Sequence, residues 1–268
     1  MAIKLGLAVA PENALMSAFV VFRDKLEVNL EKAARLGYDG VELALLHRDQ
    51  VDLPSIKRHL KDTGLEIPMV STGQIFADTG VNFTHPDRSR REKAVSDFLG
   101  LMEVASELGS MINIGRLRGM LKDGEPSEEN FRQSMDRVLR RAGELGVIVA
   151  LEPVNRYEIN FLNTVDQCAE MIRSIGHDNL VMMPDIFHMN IEDPSIEGAF
   201  WKHSDLVGYV HLADTNRWAP GRGHMDFQSI FSALKGIGYE GYASVEILPY
   251  PEPDQAAYEA VSTLRKYL

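Results

Sequence analysis

The sequence predicts an α/β chain folded as a (β/α)8 barrel, and three observations carry that expectation. Eight short apolar runs alternate with longer amphipathic stretches from end to end. The 268 residues are about the length that eight such units need. The first run ends in "LAVAPEN", without the glycine-rich turn with which an open, doubly wound sheet usually begins.

In chain order, the predicted strands are "IKLGLAV" at 3–9, "YDGVELAL" at 38–45, "EIPMVST" at 66–72 and "MINIG" at 111–115. They continue with "VIVALE" at 147–152, "LVMMPD" at 180–185, "LVGYVHLAD" at 206–214 and "YASVEIL" at 242–248. Between them, "RDKLEVNLEKAARLG", "RREKAVSDFLGLMEVASELG" and "EENFRQSMDRVLRRAGELG" repeat apolar residues at helical spacing. Each closes on a glycine, Gly37, Gly109 or Gly146, where a helix C-cap belongs. No composition shift, Pro/Ser linker or low-complexity segment interrupts the alternation, so one barrel domain over 1–268 is expected.

Composition narrows the function. With 45% hydrophobic residues the chain can bury a sizeable core, and a net charge of -11 argues against nucleic acid or an anionic membrane as partner. A single cysteine, Cys168, cannot form an internal disulfide, and the N-terminal apolar run is too short for a signal peptide; the cytoplasm is expected. "NFT" at 82–84 is formally a glycosylation sequon and has no consequence without secretion. No apolar run reaches the length of a membrane span.

In a (β/α)8 barrel the C-terminal strand ends line the active site. Here the fifth to eighth predicted strands end near Glu152, Asp185, His211 and Glu246, separated by 33, 26 and 35 residues, each close to one βα repeat. Three carboxylates and an imidazole aimed at one point repel one another unless a cation joins them. Oxygen-rich ligation with one nitrogen and no thiolate favours Mn²⁺ or Mg²⁺, with Co²⁺ and Zn²⁺ as alternatives. A single carboxylate at a strand end is more often a helix N-cap; four on consecutive strands point to a metal. Glu42, on the second strand, either accepts a hydrogen bond in the pocket or pairs with an arginine.

The blocks "LEPVNRYE", "PDIFHMN", "HLADTNRWAPGRGHMDF" and "SVEI" resemble the signatures of the xylose isomerase-like TIM barrels. Within them, the chain is most similar to the ketose 3-epimerases typified by D-tagatose and D-psicose 3-epimerase. "TGQIFAD", "NFTHPD" and "TNRWAPG" also resemble a branch of 5-keto-L-gluconate epimerases. The resemblance implies that Glu152, Asp185, His211 and Glu246 bind the metal and that Glu152 and Glu246 are the acid/base pair. It implies that Glu158, His188 and Arg217 hold the substrate near its carbonyl, and that the protein is a homodimer or homotetramer.

The chemistry suits these residue types. Inverting a carbon beside a ketone requires removing a proton and returning it to the opposite face, with an enediolate between; two carboxylates can alternate as base and acid while a cation stabilises the developing charge. In isolation His188 reads as a satisfied loop residue and Arg217 as a partner of a nearby acid; beside a metal, both can donate to a carbonyl oxygen. "GRGHMDF" at 221–227 reads as a tight loop in which Asp226 caps the seventh helix, with His224 as a further candidate ligand. Arg116 and Arg118 stand near the expected pocket mouth, either holding a carboxylate or phosphate of an acidic sugar or simply solvated. "RSRREK" at 88–93 opens a helix and reads as a solvated face, and His47, His59, His85, His177 and His203 show no partner spacing.

The expected function is therefore divalent-metal-dependent epimerisation of a ketose or keto sugar acid at the carbon next to the ketone, C3, with Mn²⁺ as the cofactor. An aldose–ketose or inosose isomerase would use the same metal site. An endonuclease IV-type nuclease would need extra histidines at the earlier strand ends, which read "VSTG" and "INIG". A sugar-binding protein without catalysis would leave the two glutamates unexplained.

Overall fold

The computed structural model describes residues 2–16 and 19–268. Each predicted strand is present: β1 (Lys4–Ala10) is as long as its apolar run and shifted by one residue, and the others are shorter than theirs, β3 (Gly40–Ala44), β4 (Met69–Ser71), β5 (Met111–Ile114), β6 (Val149–Leu151), β7 (Leu180–Met182), β8 (Val210–Leu212) and β9 (Tyr242–Val245). A two-residue strand, β2 (Phe22–Arg23), lies parallel to the end of β1.

All pairings are parallel, in the order β7-β6-β5-β4-β3-β1-β9-β8. The sheet closes where β7 meets β8: Met182 and Asp185 bridge to Val207 and His211, through Met182 N to Leu206 O (2.7 Å), Gly208 N to Met182 O (2.9 Å) and His211 N to Pro184 O (2.9 Å). The result is the expected (β/α)8 barrel.

Side chains alternate along the strands. Leu5, Leu7 and Val9 of β1, Val41 and Leu43 of β3, and Val210 and Leu212 of β8 join the core shared with the helices. Their neighbours face the bore, where Met69, Ala150, Met183, Tyr209 and Tyr242 form a separate apolar cluster. Polar side chains, Glu42 and His211 among them, occupy the same inward-facing register.

The helices are α1 (Leu26–Leu36), α2 (Leu53–Thr63), α3 (Gly73–Thr79), α4 (Arg88–Leu108), α5 (Ser127–Leu145), α6 (Val165–Ile175), α7 (Ile186–Glu192), α8 (Ile196–Lys202), α9 (Phe227–Gly236) and α10 (Pro253–Leu264). The short helices α3 and α7 follow directly on β4 and β7, at the strand C-termini. Gly37, Gly109 and Gly146 are left-handed C-caps, as their positions imply. Asp226 caps α9 through Ser229 N, and Thr164 with Gln167 forms a capping box on α6. Among the described residues no helix is long and apolar enough to cross a membrane.

Asp193, between α7 and α8, accepts from the backbone N–H of Val165 while its second oxygen is buried without a partner among the described residues. Burial pushes its carboxyl up to about 6, reinforced by Asp166 and Glu192 and opposed by that single N–H. An acid raised in the folded state contributes stability that is complete below its unfolded value near 4 and lost as pH rises through 6. Asp193→Asn should therefore flatten the fall in Tm between pH 4.5 and 7.5 by about 2 °C, the scale of roughly 1 kcal/mol after solvent screening. Parallel thermal melts of the two proteins across that range would check it; parallel curves would refute it.

Candidate metal centre

Strand geometry gathers the four predicted donors. Glu152 follows β6, Asp185 follows β7, His211 lies in β8 and Glu246 follows β9, and one ligand atom from each lies within 4.8 Å of the others. His211 Nδ1 is 3.5 Å from Glu152 Oε1, 3.6 Å from Glu246 Oε2 and 4.0 Å from Asp185 Oδ2. These separations are too long for good hydrogen bonds, and Nδ1, fully buried, has no hydrogen-bond partner among the described residues. A buried nitrogen surrounded by carboxylate oxygens and bonded to none of them fits a divalent cation at their centre.

The charge balance agrees. Burial alone would raise the carboxyls of Glu152 and Asp185, but His211 and His188 for the first, and Arg217 with both histidines for the second, hold them below their ordinary values. Burial opposes a charge on His211, yet Glu42 and Glu152 outweigh it and push the imidazole up to about 10. A cation held at Nδ1 would take the place of a proton there. Asp185 meets both readings of a strand-end carboxylate: Oδ1 caps α7 by accepting from Phe187 N at 2.8 Å, while Oδ2 faces the cluster.

Arg217 stands directly beside the donors. Its Nη1 donates to Asp185 Oδ2 at 2.7 Å and its Nη2 to Glu246 Oε2, while the guanidinium is sandwiched between Phe19 (4.8 Å) and Phe187 (4.7 Å). Its backbone adopts φ 62, a conformation that costs a non-glycine residue energy and recurs at functional sites. Asp214 holds the surrounding loop by accepting from the backbone N–H groups of Thr215, Gly221 and Met225.

His188 is nearly inaccessible, and burial lowers its pKa against the pull of Asp185, so it is neutral at neutral pH. Asn155 Nδ2 donates to His188 Nδ1 at 2.7 Å, which leaves the proton on Nε2, 3.7 Å from Asp185 Oδ2. Asn155 also reaches Glu158 Oε1 at 3.2 Å and is itself fixed by accepting from Tyr157 N. Sequence reasoning passed over Asn155; its only signal was adjacency to Arg156 and Glu158 in "VNRYE".

Glu152, Glu158, His188, Arg217 and Glu246 line one cleft. Its other walls include Phe19, Val20, Ala44, Ser71, Asn113 and Arg116. Arg116 is at the pocket as expected, 3.8 Å from Glu158. Arg118 is not at the mouth. It is fully buried and donates to the carbonyls of Gly115, Glu152, Phe161 and Leu162, because its helical-turn position points it beneath the loop. His224 is exposed and outside the cluster.

Gly115 sets the room available to Glu152: a Cβ there would stand 2.5 Å from Glu152 Oε2. Gly115→Ala should therefore displace the carboxylate and weaken divalent-metal binding by at least about tenfold, as other perturbations of a metal ligand's support do. Calorimetric titration would test this, and unchanged affinity would show that the loop can yield.

A model of the family described as xylose isomerase-like TIM barrel matches residues 30–267. The chain belongs to the xylose isomerase-like TIM barrel family. This barrel is 32% identical over 223 residues to L-ribulose 3-epimerase of Methylomonas sp. (strain DH-1), covering 80% of the chain and 75% of the relative. It is 30% identical over 222 residues to the ketose 3-epimerase of Arthrobacter globiformis, covering 81% and 75%. Among solved structures, apo 3-keto-D-glucoside 4-epimerase from E. coli superposes on this xylose isomerase-like barrel with a TM-score of 0.83 at 25% identity, covering 98% and 99% of the two chains.

Proposed function

We propose that the chain is a divalent-metal-dependent epimerase of a ketose or keto sugar acid that inverts the carbon next to the ketone, C3 in a 2-ketose. The observation that carries this reading is the convergence of Glu152, Asp185, His211 and Glu246 on one point beside a cleft that Glu152 and Glu246 line. The names of the relatives support it: L-ribulose 3-epimerase and 3-keto-D-glucoside 4-epimerase both invert a carbon adjacent to a carbonyl.

Glu152, Asp185, His211 and Glu246 would hold the ion, and the oxygen-rich donor set favours Mn²⁺. When bound, the ion supplies stabilisation of the negative charge that develops on the substrate oxygens. Glu152 and Glu246 come from strand ends three places apart around the barrel, which suits them to serve opposite faces of the sugar. One, held ionised, takes the C3 proton while the other returns one from the far side. His188 donates from Nε2 and Arg217 from its guanidinium edge to the carbonyl end of the substrate, and Glu158 accepts from a hydroxyl. Phe19, Val20 and Ala44 keep water from the enediolate.

On this reading residues 1–268 act as one catalytic barrel in the cytoplasm, as a homodimer or homotetramer, and the net charge of -11 disfavours a nucleic-acid or membrane partner. The test is incubation with a panel of ketoses and ketouronates in deuterated water. Label at C3 supports the epimerase, whereas label at C1 or C2 assigns an aldose–ketose isomerase to the same site. Chelation should abolish exchange and Mn²⁺ restore it; full exchange in chelated protein would overturn the metal reading.

A further inference from the structure

Glu42 is a carboxylate with no accessible surface, inside the barrel, and a charge there needs compensation. Its hydrogen-bond donors among the described residues are Tyr209 Oη at 3.1 Å and His211 Nε2, at 2.9 Å and 3.1 Å from its two oxygens. Glu42 belongs to β3 and His211 to β8, which are separated by β1 and β9, so the contact spans the bore. The bore is clear because β1 contributes Gly6 and Ala8, the latter in register with Glu42. A carboxylate only accepts, so Nε2 carries the proton and Nδ1, the atom facing Glu152, Asp185 and Glu246, is left to bind the ion.

We infer that Glu42 is a positioning residue of the metal centre: through the Nε2–H of His211 it fixes the ring's tautomer and direction and strengthens Nδ1 as a donor, so that it sets the affinity for the ion. The inference rests on the metal reading above. Neither the carboxylate nor Tyr209 touches the cleft, so the effect passes through His211 alone.

The experiment is calorimetric titration of chelator-treated protein with Mn²⁺, repeated with Co²⁺ to record its visible absorption. Glu42→Gln removes the charge while keeping the shape and should weaken Mn²⁺ binding about 10- to 100-fold and shift the Co²⁺ bands. Glu42→Leu, which removes the acceptor as well, should weaken it at least as much. Tyr209→Phe leaves the Glu42–His211 bond and should have the smaller effect. Should the leucine variant fail to fold, the glutamine variant decides. If the parent protein binds Mn²⁺ and Glu42→Gln binds it within twofold with unchanged Co²⁺ bands, the inference is overturned and the metal reading stands. If the parent binds neither ion, both fall together.

Discussion

Glu152→Gln and Glu246→Gln are each expected to lower epimerisation by about 10³-fold, within the range that general acid–base groups contribute. Glutamine preserves the shape and removes the proton acceptor. It also removes one negative charge from the cluster, so Mn²⁺ affinity must be measured beside the rate and the assay run at saturating metal. The two losses differ in kind. With Glu152 gone, Glu246 still reaches one face of the sugar, and that variant should exchange the C3 proton of one epimer with deuterium without inverting it. The other variant should exchange the opposite epimer. Deuterium incorporation into each epimer, followed by NMR, separates the two; inversion at the parent rate by either variant would remove that residue from the reaction.

Arg118→Met should cost on the order of 4 kcal/mol of stability, a large part of the roughly 5–15 kcal/mol a folded chain possesses. Arg118 Nε, Nη1 and Nη2 satisfy four carbonyls, those of Gly115, Glu152, Phe161 and Leu162, in a place closed to solvent. Leu162 itself sits at φ 57, so its carbonyl also anchors a strained turn. Each orphaned acceptor costs roughly 1–3 kcal/mol, and methionine fills the volume without replacing any donor. Burial lowers the guanidinium to about 10, which still leaves it charged at neutral pH. Arg118→Lys should recover little, since an ammonium cannot reproduce the planar fork. Urea unfolding midpoints would show this, and a loss below about 1 kcal/mol would mean that the loop re-forms around water.

Much of this was legible in the chain because barrel strands announce themselves twice, by apolar runs and by what stands at their ends. Glu152, Asp185, His211 and Glu246 were visible as charges placed where burial begins, at intervals of one βα unit. Strand lengths were not legible: residues 206–214 read as one strand, but its first part makes only isolated bridges to β7 and regular pairing is confined to Val210–Leu212. Partnerships across the bore were equally hidden. Glu42 is a hydrogen-bond acceptor, one of the two roles expected of it, but its donor is a histidine 169 positions away inside the bore and it does not line the cleft. Arg118 and Asn155 were misjudged or missed because the donors they supply go to carbonyls and a ring nitrogen that only the fold brings near.

The place where β7 meets β8 has a mechanical consequence. Other neighbouring barrel strands are laced by ladders of two to four register pairs, whereas this joint consists of isolated bridges, and one of them joins Asp185 to His211. An ion held by those two side chains would act as a rivet across this joint. Loading it should slow amide hydrogen exchange at Met182, Gly208 and His211 more than elsewhere, so that the state of the catalytic floor is written into the breathing of the wall around it.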